Sequence, residues 1–248
     1  MTNNKFNADD IRQELYKNYV SGFKKFISRY DIKSIESNRQ VFKRRYLPLI
    51  KNFPTNTSII EFGCGPGYFL QFLNDSGFKN TFGIDVSEQQ VEQAKSKNIN
   101  ASVMDIFDFI RTNKEKFDVI FALDLIEHFK KEELLELFSG FYNTLNNNGL
   151  VIMRTPNGEG LFPNQRIYGD LTHFTIFTPN SLLQILEMTN FSEIKFYETG
   201  PVPKNIIGYI RLILWKLIKV VIKAVRIIET GGAENILTQD LICVARKK

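Results

Sequence analysis

The run Ile59-Ile60-Glu61-Phe62-Gly63-Cys64-Gly65-Pro66-Gly67-Tyr68-Phe69 constrains the fold more than any other stretch of this chain. An apolar strand passes through one acid into a loop with three alternating glycines, and a helix follows at once. Gly63, Gly65 and Gly67 permit positive φ and let the backbone approach a bound molecule, while the helix start offers N–H groups without intrahelical partners. Many nucleotide-binding folds share this much. A dinucleotide fingerprint places another glycine where this chain has Tyr68, so the pyrophosphate reading weakens. Glu61, at the strand end, would repel phosphates and suits a ligand that carries an ammonium group.

Two further strands end in acids. Thr81-Phe82-Gly83-Ile84-Asp85 stands where a carboxylate accepts hydrogen bonds from ribose hydroxyls. Val86-Ser87-Glu88 then opens a helix with Ser87 at its N-cap. A third strand near 100–104 runs into Asp105-Ile106. There the acid suits an adenine amino group and the neighbouring N–H suits the ring, or Asp105 simply caps the next helix; both readings stay open. An ammonium, a ribose and an adenine together describe S-adenosylmethionine.

The fourth strand, Phe117 to Ala122, leads into Leu123-Asp124-Leu125-Ile126-Glu127-His128-Phe129. From Thr57 to Arg154 these motifs, in this order, resemble the class I S-adenosylmethionine-dependent methyltransferases. The later Thr172-His173-Phe174-Thr175-Ile176-Phe177-Thr178-Pro179 is similar to a branch holding ubiquinone-pathway O-methyltransferases and bacterial glycan-cluster methyltransferases. The resemblance implies a cofactor site of Glu61, Gly63, Gly65, Gly67, Asp85, Val86, Asp105 and Ile106. It adds Leu123 through its backbone and Asp124 near the methionine end. It also implies N-terminal helices over cofactor and substrate, and a seventh strand antiparallel beside the fifth.

The wider pattern supports one α/β domain: 43% of residues are hydrophobic, enough for a large core. Strands near 58–62, 80–84, 100–104, 117–122 and 149–155 alternate with helices near 67–76, 87–97, 106–113 and 131–146. That alternation predicts a Rossmann-like, doubly wound, mostly parallel sheet of seven strands. The chain divides into an N-terminal helical cap (1–56), a cofactor-binding core (57–203), an amphipathic helix inserted between the last two strands (204–230) and a final strand (231–248). Two cap helices part near Tyr30 to Ser34, with Arg44 and Arg45 read as facing solvent. Asn146 to Gly149 reads as a turn before the fifth strand, Pro156 to Thr172 as a loop, 179–190 as a helix, 191–199 as the sixth strand and 236–245 as the seventh. Cys64 and Cys243 lie far apart in sequence and do not resemble a disulfide framework or metal cluster, which fits a reducing cytoplasm. The first residues carry no secretion-signal pattern.

The formal charge of +5 is unevenly placed. Lys204 to Lys248 holds nine basic and three acidic residues, leaving 23 basic and 24 acidic in the other 203. A nearly neutral body argues against a nucleic-acid substrate. In 206–228, Arg211, Lys216, Lys219, Lys223 and Arg226 share one helical arc of roughly 140°, opposite Ile, Leu, Val and Ala. Such a helix does not span a bilayer, since each charge in hydrocarbon costs about 2.5–3.5 kcal/mol. Two readings remain: it lies on the inner membrane face with its lysines at anionic headgroups, or its apolar face packs on its own sheet or a homodimer partner with its lysines in water.

Methyl transfer from a sulfonium is an in-line displacement that needs no metal, only an acceptor held behind the methyl and water excluded. An alcohol acceptor must also lose a proton. The chain has two histidines. His173 is the first choice for base or acceptor-positioning residue, with Asp170 to orient it or touch the substrate. His128, expected to open a helix, orients the loop after the fourth strand or lines the acceptor pocket. The acceptor expected is a small-molecule or lipid-linked sugar; the alternatives are a quinone precursor, or a cofactor-binding scaffold without catalysis.

Overall fold

The computed structural model describes residues 32–233 and 235–248. The first of the two cap helices lies outside the described residues. The second is α1 (Ile32–Arg45), followed by the short α2 (Leu47–Ile50). Five strands alternating with four helices come next: β1 (Ile59–Phe62), α3 (Tyr68–Asp75), β2 (Thr81–Asp85), α4 (Glu88–Lys95), β3 (Ala101–Val103), α5 (Ile106–Thr112), β4 (Phe117–Leu123), α6 (Lys131–Thr144) and β5 (Leu145–Pro156). The chain ends with α7 (Asn164–Tyr168), α8 (Pro179–Met188), β6 (Phe191–Glu198), α9 (Ile206–Thr230) and β7 (Asp240–Lys247).

The strands form one seven-stranded sheet in the order β3-β2-β1-β4-β5-β7-β6. β1 to β5 pair in parallel, and β7 runs antiparallel to both β5 and β6. Side chains of the central strands alternate between two cores, as the period of two requires. Ile60, Phe62, Ile120 and Ala122 point to one with Phe109, Phe138 and Phe141. Ile59, Val119 and Phe121 point to the other with Tyr46, Phe69 and Leu73. Helices therefore cover both faces, which is the doubly wound arrangement the alternation predicts.

Several boundaries differ, for identifiable reasons. β5 starts at Leu145, before the Asn-Asn-Asn-Gly turn. Phe117 pairs with Leu145 but Val119 pairs with Leu150, so the extra residues bulge out of the strand, with Asn148 at φ 63°. β7 starts at Asp240, because the carbonyls of Ile236 and Thr238 accept from the Asn157 side chain at 3.0 Å each. A turn of helix, α7, interrupts the stretch expected to be all loop.

Arg44 is exposed as expected, but Arg45 is not simply solvent-facing. Its guanidinium donates to the carbonyls of Thr199 and, at 3.1 Å, Gly200, tying α1 to the end of β6. Tyr46 is fully buried and meets Phe69 edge-on with ring centroids 5.2 Å apart. A ring buried so completely contributes about 1.5–3 kcal/mol.

The largest correction concerns α9. The Asn205 side chain caps its start by accepting from Gly208 N–H (2.9 Å), and Gly231 at φ 75° ends it. None of its residues is buried. Its half-buried side holds Lys219, Lys223 and Arg226 of the basic arc together with Leu212, Trp215 and Ile222; Lys219 pairs with Glu198, and Lys223 donates to Asn235 (2.7 Å). The apolar arc points outward, from Ile218 at 48% exposure to Ile228 at 86%. Packing of that arc on the protein's own sheet is thereby overturned, as is a basic arc turned wholly to water or headgroups. Among the described residues no helix is long and apolar enough to cross a membrane.

Candidate active site

The carboxyl ends of β1, β2 and β4 bring the predicted residues together. Gly63, Gly65 and Gly67 have φ of 69°, 51° and 73°, all left-handed, so the loop requires the residues it has. Asp85 ties that loop to the next strand: its carboxylate accepts from Gly65 N–H and from Ser87 N–H, both at 2.8 Å. A carboxylate offers about four acceptor sites, so these two bonds do not exhaust it. Glu61 is 4% exposed, and its Oε2 has no partner. Burial, reinforced by Asp85, raises its proton affinity well above the usual carboxylate range. A buried carboxyl with an orphaned oxygen suits a cationic ligand group.

Asp105 caps α5 through Oδ1, which accepts from Phe107 N–H (2.7 Å) and Asp108 N–H (3.3 Å), so the capping reading holds. Ile106 is buried behind it. Asp85 stands in register with Val103. Val86, Val103 and Met104, next to the two acids in sequence, are unusually exposed for apolar residues, at 49%, 47% and 37%. The ends of β2 and β3 thus offer apolar surface beside acceptors, the combination a flat heteroaromatic ring requires.

Leu123 ends β4 and is half-buried. Asp124, next in the chain, has φ 53° and forms a two-pronged ion pair with Arg154, one bond of 2.7 Å from Nε. Arg166 approaches the same carboxylate (3.6 Å) and also pairs with Asp240 (2.9 Å). Burial alone would raise the proton affinity of Asp124, but the charge and hydrogen bond of Arg154, together with the charge of Arg166, outweigh it and hold the carboxyl below its ordinary value. Neither arginine was singled out from sequence. Arg154 carried a signal, a cation closing an apolar strand in register with Leu123; Arg166 carried none.

The two histidines meet with ring centroids 4.9 Å apart. His128 closes a one-turn 3-10 helix, Ile126–His128, and so does not open a helix as expected. Thr172 Oγ1 donates to Asp170 (2.6 Å), so it accepts from His128 Nδ1 (2.8 Å), which also lies 3.1 Å from the Thr172 carbonyl. That network assigns the proton to Nδ1 and the lone pair to Nε2. Asp170 thus orders His128 through Thr172, and its backbone carbonyl accepts from His173 N–H (3.3 Å), where the expectation is that it orients His173 or touches the substrate. Burial, helped by His173, lowers His128 to about 4, so it is a neutral imidazole.

His173 is half-buried, and its Nδ1 is enclosed without a partner. Glu127, between Asp124 and the histidines, is 1% exposed; the Thr155 hydroxyl stands beside it, yet neither its oxygens nor that hydroxyl meets a partner in hydrogen-bond geometry. Burial and then Asp124 raise the proton affinity of Glu127 strongly. One donor atom each from Glu127, His128 and His173 lies within 4.8 Å of the others, near enough to share a cation, although displacement at a sulfonium requires none. Phe174 and Thr175 N–H donate to the Glu127 carbonyl (2.9 and 3.1 Å) and hold the two segments together. Both cysteines are buried free thiols whose proton affinity burial raises, so neither is a nucleophile here.

Sheet order, glycine loop and strand-end acids define the class I methyltransferase fold. The chain belongs to the methyltransferase domain family, whose model matches residues 35–195, well over half its length. A solved S-adenosylmethionine-dependent methyltransferase from Archaeoglobus fulgidus has the same fold, with a TM-score of 0.67 at 23% identity over 92% of this chain and 99% of that one. Among curated proteins, a carboxy-S-adenosyl-L-methionine synthase of Campylobacter jejuni is 37% identical over 115 residues, 42% of this chain and 46% of that protein. An S-adenosyl-L-methionine-dependent Diels-Alderase of Talaromyces variabilis is 28% identical over 139 residues, 50% of this chain and 46% of that protein. The chain spans about half the length of the curated relatives it matches.

Proposed function

We propose that this domain takes a methyl group from S-adenosylmethionine and places it on an oxygen of a sugar, free or lipid-linked, of the kind used in bacterial surface-glycan synthesis. The observation that carries this reading is the convergence at the carboxyl ends of the central strands of a buried acid with an unpaired oxygen, a glycine loop held by Asp85, and both histidines of the chain. In this reading Glu61 meets the ammonium of the cofactor, and Gly63, Gly65 and Gly67 let the loop backbone approach it closely. Asp85 accepts from the ribose, and the adenine lies against Val86 with Asp105 and Ile106 at its edge. Leu123 and Asp124 border the methionine end, with Asp124 fixed by Arg154.

The acceptor hydroxyl approaches from the side of His173, which positions it or takes its proton. His128, kept neutral and oriented by Thr172 and Asp170, holds His173 in place. Calorimetric titration with S-adenosylmethionine and S-adenosylhomocysteine tests the cofactor; failure to bind either at millimolar concentration overturns it. Mass spectrometry over nucleotide sugars, lipid-linked sugars and quinone precursors then identifies the acceptor. The bare apolar face of α9 favours the quinone precursor as second reading, and methylation confined to that class would replace the first. Turnover of the cofactor with no methylated acceptor would point to chemistry other than methyl transfer.

A further inference from the structure

At the N-terminal half of α9 lies a cavity of about 650 Å³, whose lining includes Arg45, Phe162, Ile207, Arg211, Trp215 and Asp240. Two donors in that lining have nothing to donate to: Arg45 Nε and Trp215 Nε1 are buried without partners. A buried donor without an acceptor is unfavourable, and native proteins rarely keep one unless a ligand or water answers it. Asp240, the acid of the lining, is already engaged by Arg166. The other charged side chains of the lining, Arg45, Lys204 and Arg211, are all cations, which suits a ligand that carries anionic oxygens. Phe162 and Ile207, 73% and 67% exposed, carry the lining outward onto the apolar face of α9.

We propose that this cavity seats the phosphate of a membrane lipid while the bare face of α9 lies in the same leaflet. At about 100° per residue the exposed apolar side chains, from Tyr209 and Ile227 round to Ile218, cover roughly 180° of the helix. Arg211 and Lys216, both exposed, stand just beyond the two borders of that arc. A partner helix from a second copy covers only a narrow seam, whereas an interface between headgroups and acyl chains covers half a helix at once. Flanking cations complete the match by reaching back to anionic headgroups. The inward pairing of Lys219 with Glu198 fixes α9 in this attitude. Asp240 further joins the cavity, through Arg166, to Asp124 at the candidate active site. A lipid-borne acceptor anchored there would be held beside the cofactor, and that last step rests on the methyl-transfer reading.

The chain's single tryptophan is Trp215, so its fluorescence reports on the cavity without labelling. Titration with mixed phosphatidylglycerol/phosphatidylcholine vesicles should shift the emission, and the protein should float with those vesicles and far less with phosphatidylcholine alone. I213E/L217E should abolish flotation, and R211Q/K216Q should weaken it about thirty-fold, as expected for two basic residues at an anionic surface. No response to either vesicle overturns the proposal. So does an equal response to both vesicles, or an emission shift with inorganic phosphate and no flotation, which would mark a soluble ligand. A dimer by light scattering that I213E/L217E dissolves, without flotation, assigns the face to a second copy and likewise overturns it. Calorimetry with S-adenosylhomocysteine on each variant reports an intact fold. Its failure in the wild type would strike the methyl-transfer reading and leave the lipid seat standing.

Discussion

Gly65 and Gly67 both adopt left-handed backbone, yet replacing each by alanine should have different consequences. Any L side chain in that region costs about 1–2 kcal/mol, and both variants bear this cost. What a new Cβ would touch separates them. At Gly65 the nearest atom is Gln90 Oε1, at 3.0 Å, the far end of a long side chain, where a small shift relieves the contact although the residue is buried. At Gly67 the neighbours are Ala94 Cβ at 3.0 Å and two Ile99 carbons at 3.2 Å, all in the packed core. Overpacking of that kind adds about 1–3 kcal/mol. Gly65→Ala should therefore destabilise by about 1–2 kcal/mol and Gly67→Ala by about 2–5 kcal/mol. Thermal unfolding should show the difference, at about 2–4 °C of melting temperature per kcal/mol for a chain of this size. Gly65, whose N–H is held by Asp85, should lose more cofactor affinity per unit of lost stability, measured by calorimetry with S-adenosylhomocysteine. Equal melting temperatures for the two variants, or a larger loss for Gly65→Ala, would refute the packing argument.

Asp85→Asn should weaken S-adenosylhomocysteine by about tenfold or more, since a charge-assisted bond is worth about 1.5–3 kcal/mol; unchanged affinity in calorimetry would remove Asp85 from the ribose. Glu61 has a folded proton affinity above its unfolded one, so its contribution to stability is fully present below about pH 4.3 and is lost as pH rises toward the folded value. Glu61→Gln should therefore melt higher than wild type at neutral pH, with the gap closing near pH 4.3 in thermal scans; a gap independent of pH would contradict the burial. His128 is the opposite case: depressed to about 4, it favours folding above its unfolded value and loses that contribution as pH falls. Because the chain has two histidines, NMR titration of the imidazole protons should resolve one midpoint near 4; a value near the unperturbed 6.5 would show that the ring is solvated. His173→Ala should lower turnover by about 10²–10⁴-fold if the ring is a general base, with cofactor affinity unchanged; restoration by His173→Gln would assign it to positioning alone.

What was legible in the sequence was local. The glycines of 63–67 needed left-handed backbone wherever the chain went, and Glu61, Asp85 and Asp105 were tied to strand ends by the period of their own neighbours. The antiparallel place of β7 came from family likeness, because strand order depends on pairings that composition does not encode. What was not legible depended on partners far along the chain. Arg45 faces inward because carbonyls 154 and 155 residues away receive it. β7 begins late because Asn157 takes two carbonyls before it. Asp170 reaches His128 because the Thr172 hydroxyl lies between them, while its backbone carbonyl holds His173 N–H.

The helix Ile206–Thr230 shows how periodicity stops short of orientation. Its spacing gives two arcs and their composition, but burial of either arc depends on what the body offers it. Water would ordinarily decide, turning the apolar arc inward at about 25 cal/mol per Å² covered. Here the body offers Glu198 and Asn235 to Lys219 and Lys223 at the contact, beside the half-buried Leu212, Trp215 and Ile222. Local electrostatics and capping at Asn205 then fix the helix with its costly face outward. A face held out in this way is tolerable only if something apolar covers it, so its orientation is evidence about surroundings rather than about the fold.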